Sequence, residues 1–535
     1  MLLYIITFLV IFYAVTIKSR KSLHMLQQNL YNENNRYLKW LRHNLKSAFY
    51  HYDIIALILF IIAGLLHNFL SVILIFLALI ILIFDTEVIK YSIMVEKHKK
   101  PLVKTARVRR QILTLYILNL LPLLIYTFNP NLKYILIVIA AIMLVLNYLV
   151  VYLVKVINTP VEKYVYHYYW NKATTKLASL TNLSVIGITG SYGKTSSKNI
   201  LNEILSVNFI SHPTPKNFNT DVGLMSTVNN DLTKFDEIFI AEMGAYRVGR
   251  IKNVCNLVHP KYGILTTIGK AHLETFGSQE NIIKTKFELI ESLPSDGIAF
   301  LNKDDPLQVN YVKNNLKNKV KIVWYAVDNK DASVYAKNIK CSNTGSTFDV
   351  VFKKEDKTVS FETRLLGRHN ISNILSGLAV GYEFGIPIEK LVMAVKKIKP
   401  IEHRLELKRL GLMYQIDDAY NSNPIGAKVA LEVLDMMPGT KVVVTPGMVE
   451  LGGEEAKLNF EFGTEIAMVA DYVILVGEKQ TKPIYEGLIS KKYKKDNIII
   501  TNDVREAYTM VNNLKEPKKD IYALFENDLP DTYNE

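Results

Sequence analysis

Cysteine is almost missing from this chain: Cys255 and Cys341 are the only two in 535 residues, far apart and without a Cys-x-x-Cys pair. That excludes a disulfide framework and a cysteine zinc cage, and it suits a reducing, cytosolic setting for the soluble part. Acidic residues are also in short supply, with 64 Lys and Arg against 50 Asp and Glu and a formal charge of +14. The excess does not lie where a nucleic-acid-binding face would put it. Residues 18–53 hold seven Lys and Arg against two acids, and residues 86–110 hold eight against two. Both clusters flank apolar runs, as the cytoplasmic loops of membrane proteins do. No nucleic-acid partner is therefore expected. Coiled-coil heptads and low-complexity tracts are absent too.

What is present falls into two regimes. Hydrophobic residues make up 49% of the chain and are concentrated before residue 157. Met1 to Ile17 is apolar and is followed by "KSRKS". A signal peptide carries its charge before the apolar run and ends at a small-residue cleavage site. This stretch has neither feature clearly, and it reads as a retained helix with its N-terminus outside. Ile54 to Phe84 is a second apolar run of 31 residues. As one helix it would span about 46 Å against a hydrocarbon core of about 30 Å, and it would put the two basic loops on opposite sides. A break at "GLLHNF", residues 64–69, gives two short helices and returns both loops to the cytoplasm. The halves are short, and a re-entrant hairpin is the alternative. Gln111–Phe128 and Leu132–Ile157 form a further hairpin that turns at "NPN".

Five spans are expected, with the lipid bilayer as a partner and the soluble part in the cytoplasm of a multi-pass cell-membrane protein. "LQQNLYNENNRYLKWLRHNL" reads equally as a solvated connector or as an amphipathic helix on the membrane surface. "VEKYVYHYYWNKATTKL", after the last span, reads as an interfacial aromatic belt leading into a domain.

The buried-strand pattern of residues 184–189 runs into "TGSYGKTSSKNILNEIL", a glycine turn that opens a helix. Backbone N–H groups and the helix dipole make such a turn a phosphate cradle. Lys194 can reach the β- and γ-phosphates, and the Thr195 hydroxyl can coordinate Mg²⁺. Yet the common spacing G-x-x-x-x-G-K-[ST] requires glycine at position 188, where Ile188 stands between Gly187 and Gly190.

The displaced glycine points to a particular loop. "TGSYGKTS" resembles the Mur ligase loop T-G-[ST]-x-G-K-[ST]-[ST]. The resemblance then extends in order through "KNFNTDVG" (216–223), "IFIAEMGAYRVGRI" (238–251) and "IGKAHLETFGSQENIIKTKFEL" (268–289). It continues through "LNKDDP" (301–306), "LLGRHNISNILSGLAVG" (365–381), "HRLE" (403–406), "IDDAYNSNP" (416–424) and "PGMVELG" (446–452). No single segment decides the matter, but the ordered set is specific.

The resemblance implies a reaction. Ligases of this family phosphorylate a carboxylate with ATP, and an amine then attacks the acyl-phosphate to form an amide. It implies ATP and Mg²⁺ as cofactors and a loop of Gly190, Ser191, Gly193, Lys194, Thr195 and Ser196 around the phosphates. Glu242 ends an apolar strand, where an unpaired carboxylate would be costly. By the resemblance Glu242 and His272 would be Mg²⁺ ligands, with Thr195 completing the first site. Lys286, 14 residues after His272, matches the lysine whose carbamate holds a second Mg²⁺. Lys284 is the competing choice in "KTK", and Glu288 in K-x-E favours Lys286. Lys194, Lys286 and His272 would thus carry the chemistry. Asn370 would face the adenine base, with His369 and Asn373 packing or capping. Arg404 would reach the phosphates on domain closure, and Asp418 would lie near the ribose or hinge. Asn421 and Asn423 share a turn ahead of Pro424, which suits a helix N1 position. Asn217, Asn219 and Thr220 would cover the acyl acceptor, although ordinary turn chemistry accounts for them equally well.

The implied architecture is an α-helical membrane domain (1–157), a juxtamembrane linker (158–177) and two α/β domains. These are a P-loop central ATP-binding domain with a parallel sheet (178–400) and a Rossmann-like C-terminal domain (401–535). Within the family, "DDAYNSNP" is nearest the branch that adds D-Ala-D-Ala to UDP-MurNAc-tripeptide. That implies peptidoglycan synthesis, with a cell-wall precursor and an amino acid or dipeptide as partners. Two departures bear on the substrate: membrane spans replace the usual uridine-nucleotide domain, and "ALFENDLPDTYNE" lacks the branch's lysine-glycine-serine ending. A membrane-anchored ligase acting on a lipid-linked or polymeric acceptor, as poly-γ-glutamate synthases do, is the second reading. A non-catalytic membrane scaffold is the third, opposed by the intact set Lys194, Thr195, Glu242, His272 and Lys286.

Overall fold

The computed structural model describes all residues except 67, 96–100, 412, 420–421, 515–519 and 528–535, and the side chains of 33, 34 and 47. The chain forms two compact units, residues 1–167 and a second unit that begins at Tyr168.

The first unit is helical. Its long helices are Leu2–Gln28, His51–Leu66, Phe69–Val95, Ala106–Phe128 and Lys133–Val145, followed by the start of Asn147–Ser179. The break expected within residues 64–69 is there, between helices ending at Leu66 and beginning at Phe69. Ile58, Ile62, Ile73, Phe76, Ile80 and Leu113 are among many large apolar side chains left exposed on these helices. The polar groups turn inward instead. Lys18 is buried, ion-paired to Asp53 and to Asp85 at 2.5 Å, with its ammonium 4.9 Å from the Tyr50 ring centre.

These three charges sit at the ends of three apolar runs, so their meeting puts those ends at one level. That is the arrangement in which the two apolar halves of 54–84 leave and return to the same side. Removing one partner of a buried ion pair strands the others, at a cost of about 3–5 kcal/mol. Lys18→Met is therefore expected to lower the midpoint of helix unfolding in a detergent titration. An unchanged midpoint would show that the triad does not hold the bundle.

By helix length and composition, the candidate spans are fewer than the expected five. Among the described residues three helices, Leu2–Gln28, Phe69–Val95 and Ala106–Phe128, are long and apolar enough to cross a membrane. His51–Leu66 has 16 residues, about 24 Å of helix, and falls short of the core. The run 132–157, expected as one span, is two helices that meet at Leu146 with a bend of 89°, so that counting the pair as one span gives four. At this corner Asn147 is buried and its side-chain oxygen accepts from Ser22 Oγ at 2.9 Å. An asparagine engaged sideways is a natural breaking point for a helix. Residues 158–177, expected as a linker, lie within the helix Asn147–Ser179. Past Pro160 the segment contains neither glycine nor proline to stop it.

The second unit contains two sheets. The larger runs β2-β3-β1-β4-β5-β6-β7-β8-β9. Its strands are β1 (Ser184–Thr189), β2 (Ser211–Pro213), β3 (Ile238–Glu242), β4 (Tyr262–Leu265), β5 (Ile298–Asn302) and β6 (Lys321–Ala326), continued by β7 (Val334–Ser342), β8 (Gly345–Phe352) and β9 (Lys357–Thr363). Strands β1 to β6 are parallel to their neighbours, as expected, but β7–β8 and β8–β9 pair antiparallel. The short turns "NT" and "KKED" leave no room for the helical crossover that parallel pairing needs.

The smaller sheet runs β10-β11-β15-β12-β13-β14. Its strands are β10 (Glu406–Leu410), β11 (Met413–Asp418), β12 (Thr440–Thr445), β13 (Tyr472–Val476), β14 (Ile498–Thr501) and β15 (Ile521–Glu526), parallel except for β10. The continuous apolar runs of β1, β3, β12 and β13 follow from burial on both faces of a parallel sheet. In such sheets ligands sit beyond the carboxyl ends of the strands. The residues just past Thr189, Glu242 and Leu265 are where the chemistry should be.

Candidate active site

Strand β1 delivers its chain to Gly190 at φ +153° and Gly193 at φ +81°. A Cβ on Gly190 would stand 1.9 Å from Thr266 Oγ1, so this position has no room for any other residue. Thr266 Oγ1 donates to the Tyr192 carbonyl at 2.6 Å, and Ser191 N donates to the Thr267 carbonyl at 2.7 Å. The loop is thereby stitched to the end of β4. The helix Lys194–Leu205 starts from Gly193 without a side-chain cap, which leaves its first N–H groups for an anion.

Lys194 folds back over this loop, its Nζ donating to the Gly190 carbonyl at 2.8 Å. Burial lowers its pKa to about 8; Glu242 pulls the other way and Arg404 adds to the fall. One residue on, Thr195 Oγ1 donates to Glu242 Oε1 at 3.0 Å, and Asn219 Nδ2 reaches the same oxygen at 3.2 Å. Glu242 ends a strand that is buried throughout and is itself 1% exposed. Its other oxygen pairs with Lys198 Nζ at 3.0 Å. Lys198 was not among the residues singled out from sequence. Its signal was its position one turn beyond Lys194, on the same helix face.

Lys286 and Lys284 part company in the structure. Lys284 is exposed, whereas Lys286 is 3% exposed and lines the cleft beside the loop. Burial drives the Lys286 amine well below its ordinary pKa, with Lys194 adding to the fall. Glu288 is engaged elsewhere, accepting from Gly249 N at 2.6 Å and Lys252 N at 2.9 Å. His272 lies on the same wall, its backbone at φ +54° and its Nδ1 2.5 Å from Glu450 Oε2.

Arg404 and Asn423 reach this cleft from the segment after residue 400. Asn423 caps the helix Pro424–Asp435, accepting from Gly426 N at 3.1 Å, with Pro424 at its first turn as expected. Ser191 and Ser196 are on the wall with the loop. Thr220 is there too, with its hydroxyl accepting from Gly223 N at 3.2 Å as a helix cap.

Other expected residues stay apart from this cleft. Asn217 is exposed and does not line it. Asn370 is buried in the first turn of the helix Arg368–Glu383, its Nδ2 donating to the Leu366 carbonyl at 2.9 Å and its Oδ1 accepting from Asn373 at 3.4 Å. Asparagines in a first turn commonly bond back in this way. Asn373 is the one tied to the loop helix, accepting from Ser197 Oγ at 3.0 Å. Asp418 is buried beside Glu526, its register partner on β15. Burial raises the Asp418 carboxyl to about 7 against the pull of Arg404, and burial with Asp418 alongside lifts Glu526 well above its ordinary value. Glu526 was also missed, although an acid closing the apolar run "IYALFE" is the signal that picked out Glu242. Asn421 lies outside the described residues.

Among the described residues no three His, Cys, Asp or Glu side chains gather as a ready-made metal cage. Mg²⁺ does not require one, since it is held through one or two carboxylates together with waters and substrate phosphates. Thr195 and Glu242, in contact at the mouth of a phosphate loop, fit that ion.

Two family models match the chain in succession, the Mur ligase middle domain over residues 188–381 and the Mur ligase glutamate ligase domain over 403–524. The chain belongs to the Mur ligase family. This Mur ligase is 32% identical over 319 residues to the UDP-N-acetylmuramoyl-tripeptide--D-alanyl-D-alanine ligase of Bacillus subtilis, covering 59% of this chain and 66% of that one. The Escherichia coli enzyme of the same name is 31% identical over 300 residues, covering 55% and 65%. Just under two thirds of each relative's length is therefore spanned. MurF from Acinetobacter baumannii superposes with a TM-score of 0.61 at 24% identity, over 67% of this chain and 77% of that one. MurF from Thermotoga maritima, in complex with ADP, gives 0.59 at 26% identity, over 67% and 80%. The apolar helices at the start of the chain lie outside both family models, which cover residues 188–381 and 403–524.

Proposed function

We propose that this Mur ligase is an ATP-dependent, ADP-forming ligase that joins D-Ala-D-Ala to UDP-MurNAc-tripeptide, held at the membrane with its ligase domains in the cytoplasm. One observation carries the reading. Lys194, the Thr195–Glu242 pair, His272 and Lys286 line a single cleft, and Arg404 of the C-terminal domain enters it.

In the first step a carboxylate oxygen of the tripeptide attacks the γ-phosphorus of ATP, and the bond to ADP breaks. Lys194, Arg404 and the N–H groups at the start of the Lys194–Leu205 helix neutralise the charge on the phosphates. In the second step the amine of the dipeptide attacks the acyl carbon, phosphate departs with its bonding electrons, and the amine gives up a proton. Thr195, Glu242 and His272 would hold Mg²⁺, whose positive charge lowers the cost of bringing a carboxylate to a triphosphate. Lys286 suits carbamate formation, because its burial favours the neutral amine that adds CO₂. Asn219, Thr220 and Asn423 line the cleft, where Asn219 and Thr220 would cover the acyl acceptor.

The apolar helices of the first unit favour a second acceptor class, the same precursor attached to a lipid. Both versions share the acyl-phosphate, and an oxygen label tests for it. With ¹⁸O in the terminal carboxylate of the tripeptide, one label is expected in the phosphate released when amide forms. Unlabelled phosphate would rule out the acyl-phosphate route for either acceptor.

A further inference from the structure

Glu450 stands outside every role assigned so far. It lies in the loop after β12 of the C-terminal domain, yet its Oε2 is 2.5 Å from His272 Nδ1 of the central domain. The loop is docked there by more than this pair. The Glu450 carbonyl accepts from Glu274 N at 3.2 Å, and Lys270 pairs with Glu454 at 2.6 Å. Both members of the pair hold left-handed backbone, His272 at φ +54° and Glu450 at φ +64°. That conformation is uncommon outside glycine, and in facing residues it indicates that the surrounding contacts fix both positions.

The two nitrogens of an imidazole are not equivalent. A carboxylate that accepts the proton of Nδ1 leaves the lone pair on Nε2, and ligating histidines are commonly oriented by such a carboxylate. The geometry points to Glu450 as a positioning residue that sets the ring and tautomer of His272, so that Nε2 faces the cleft as a Mg²⁺ ligand. Because the carboxylate belongs to the other domain, the metal site is complete only while the C-terminal domain is docked. Closure over substrates and readiness of the metal ligand then become one event. This rests on the reading of His272 as a ligand, and the variants below separate the two.

The test is metal binding by the full chain in detergent, with a non-hydrolysable ATP analogue present and Mn²⁺ in place of Mg²⁺, free Mn²⁺ being read by electron paramagnetic resonance. Glu450→Ala is expected to weaken Mn²⁺ binding by about 10- to 100-fold, the usual effect of removing the partner of a ligating histidine. Glu450→Gln, whose amide oxygen still accepts from Nδ1–H, should keep most of the affinity. Lys270→Ala breaks only the neighbouring contact of the same loop and should leave Mn²⁺ affinity near that of the parent. If Glu450→Ala fails to hold the analogue, Glu450→Met, which keeps the length and removes the acceptor, takes its place. Unchanged or tighter Mn²⁺ binding without the carboxylate overturns the proposal, as does an equal loss in Lys270→Ala. His272→Ala reports on the underlying reading: if it binds Mn²⁺ like the parent, His272 as a metal ligand is what fails.

Discussion

Lys194→Ala in the full-length protein is expected to cut ATP-dependent amide formation by at least about 10²- to 10³-fold, the usual effect of removing one preorganised charge contact to a transition state. Its Nζ is already held at the mouth of the loop by the Gly190 carbonyl at 2.8 Å, so little reorganisation separates the resting position from the working one. A pH signature accompanies the loss. In the empty site burial brings the amine to about 8, whereas in an unfolded chain a lysine stays protonated to about 10.4. Between those values the unfolded chain binds the extra proton, so this group makes stability rise with pH there. A triphosphate needs the charged form. Nucleotide binding above about pH 8 should therefore take up a proton at Lys194 and weaken as pH climbs. Calorimetric titration with an ATP analogue in buffers of different ionisation enthalpy measures that uptake, and Lys194→Ala should abolish it. Near-normal turnover in the variant would remove Lys194 from the phosphate site.

Lys286→Ala should be close to inactive as well, for a different reason. A buried amine is poorly placed as a cation, and burial drives it toward the neutral form, with Lys194 adding to the fall. Addition of CO₂ would turn it into an anion, which a second Mg²⁺ would neutralise. Short carboxylic acids added to Lys286→Ala are expected to restore part of the rate by supplying a carboxylate in the space vacated. Lys284→Ala, at the exposed neighbour, should behave like the parent. Full activity of Lys286→Ala in CO₂-depleted buffer would exclude the residue from the site.

These residues differ in how visible they are in the sequence. The loop could be read from "TGSYGKTS" because strand, turn and helix are adjacent in the chain, and the steric demand on Gly190 is met by residues that follow β4. Glu242 was legible because a carboxylate closing an apolar strand has to be compensated. The break at residues 64–69 was legible from helix length and from the need to keep both basic loops on one side.

The pairings that cross long stretches of chain were not legible. Nothing local to His272 announces Glu450, nothing in β11 announces Glu526, and Asn370 gives no sign that its own helix start engages its side chain. Beside the bend at Leu146, Asn147 is engaged by Ser22, more than a hundred residues away, and a hydropathy profile cannot register that contact. The antiparallel strands β7 to β9 were overlooked because the expectation of a parallel sheet was carried past the point where the turns become too short.

The most direct measurement of the central claim uses the purified full-length protein in detergent with ATP, Mg²⁺, UDP-MurNAc-tripeptide and D-Ala-D-Ala, with the products resolved by mass spectrometry. The expected result is the precursor extended by the dipeptide, one ADP for each amide formed, and none of it in Lys194→Ala. ATP turnover in which neither this precursor nor its lipid-linked form, offered in a parallel reaction, gains an amide would contradict the ligase account.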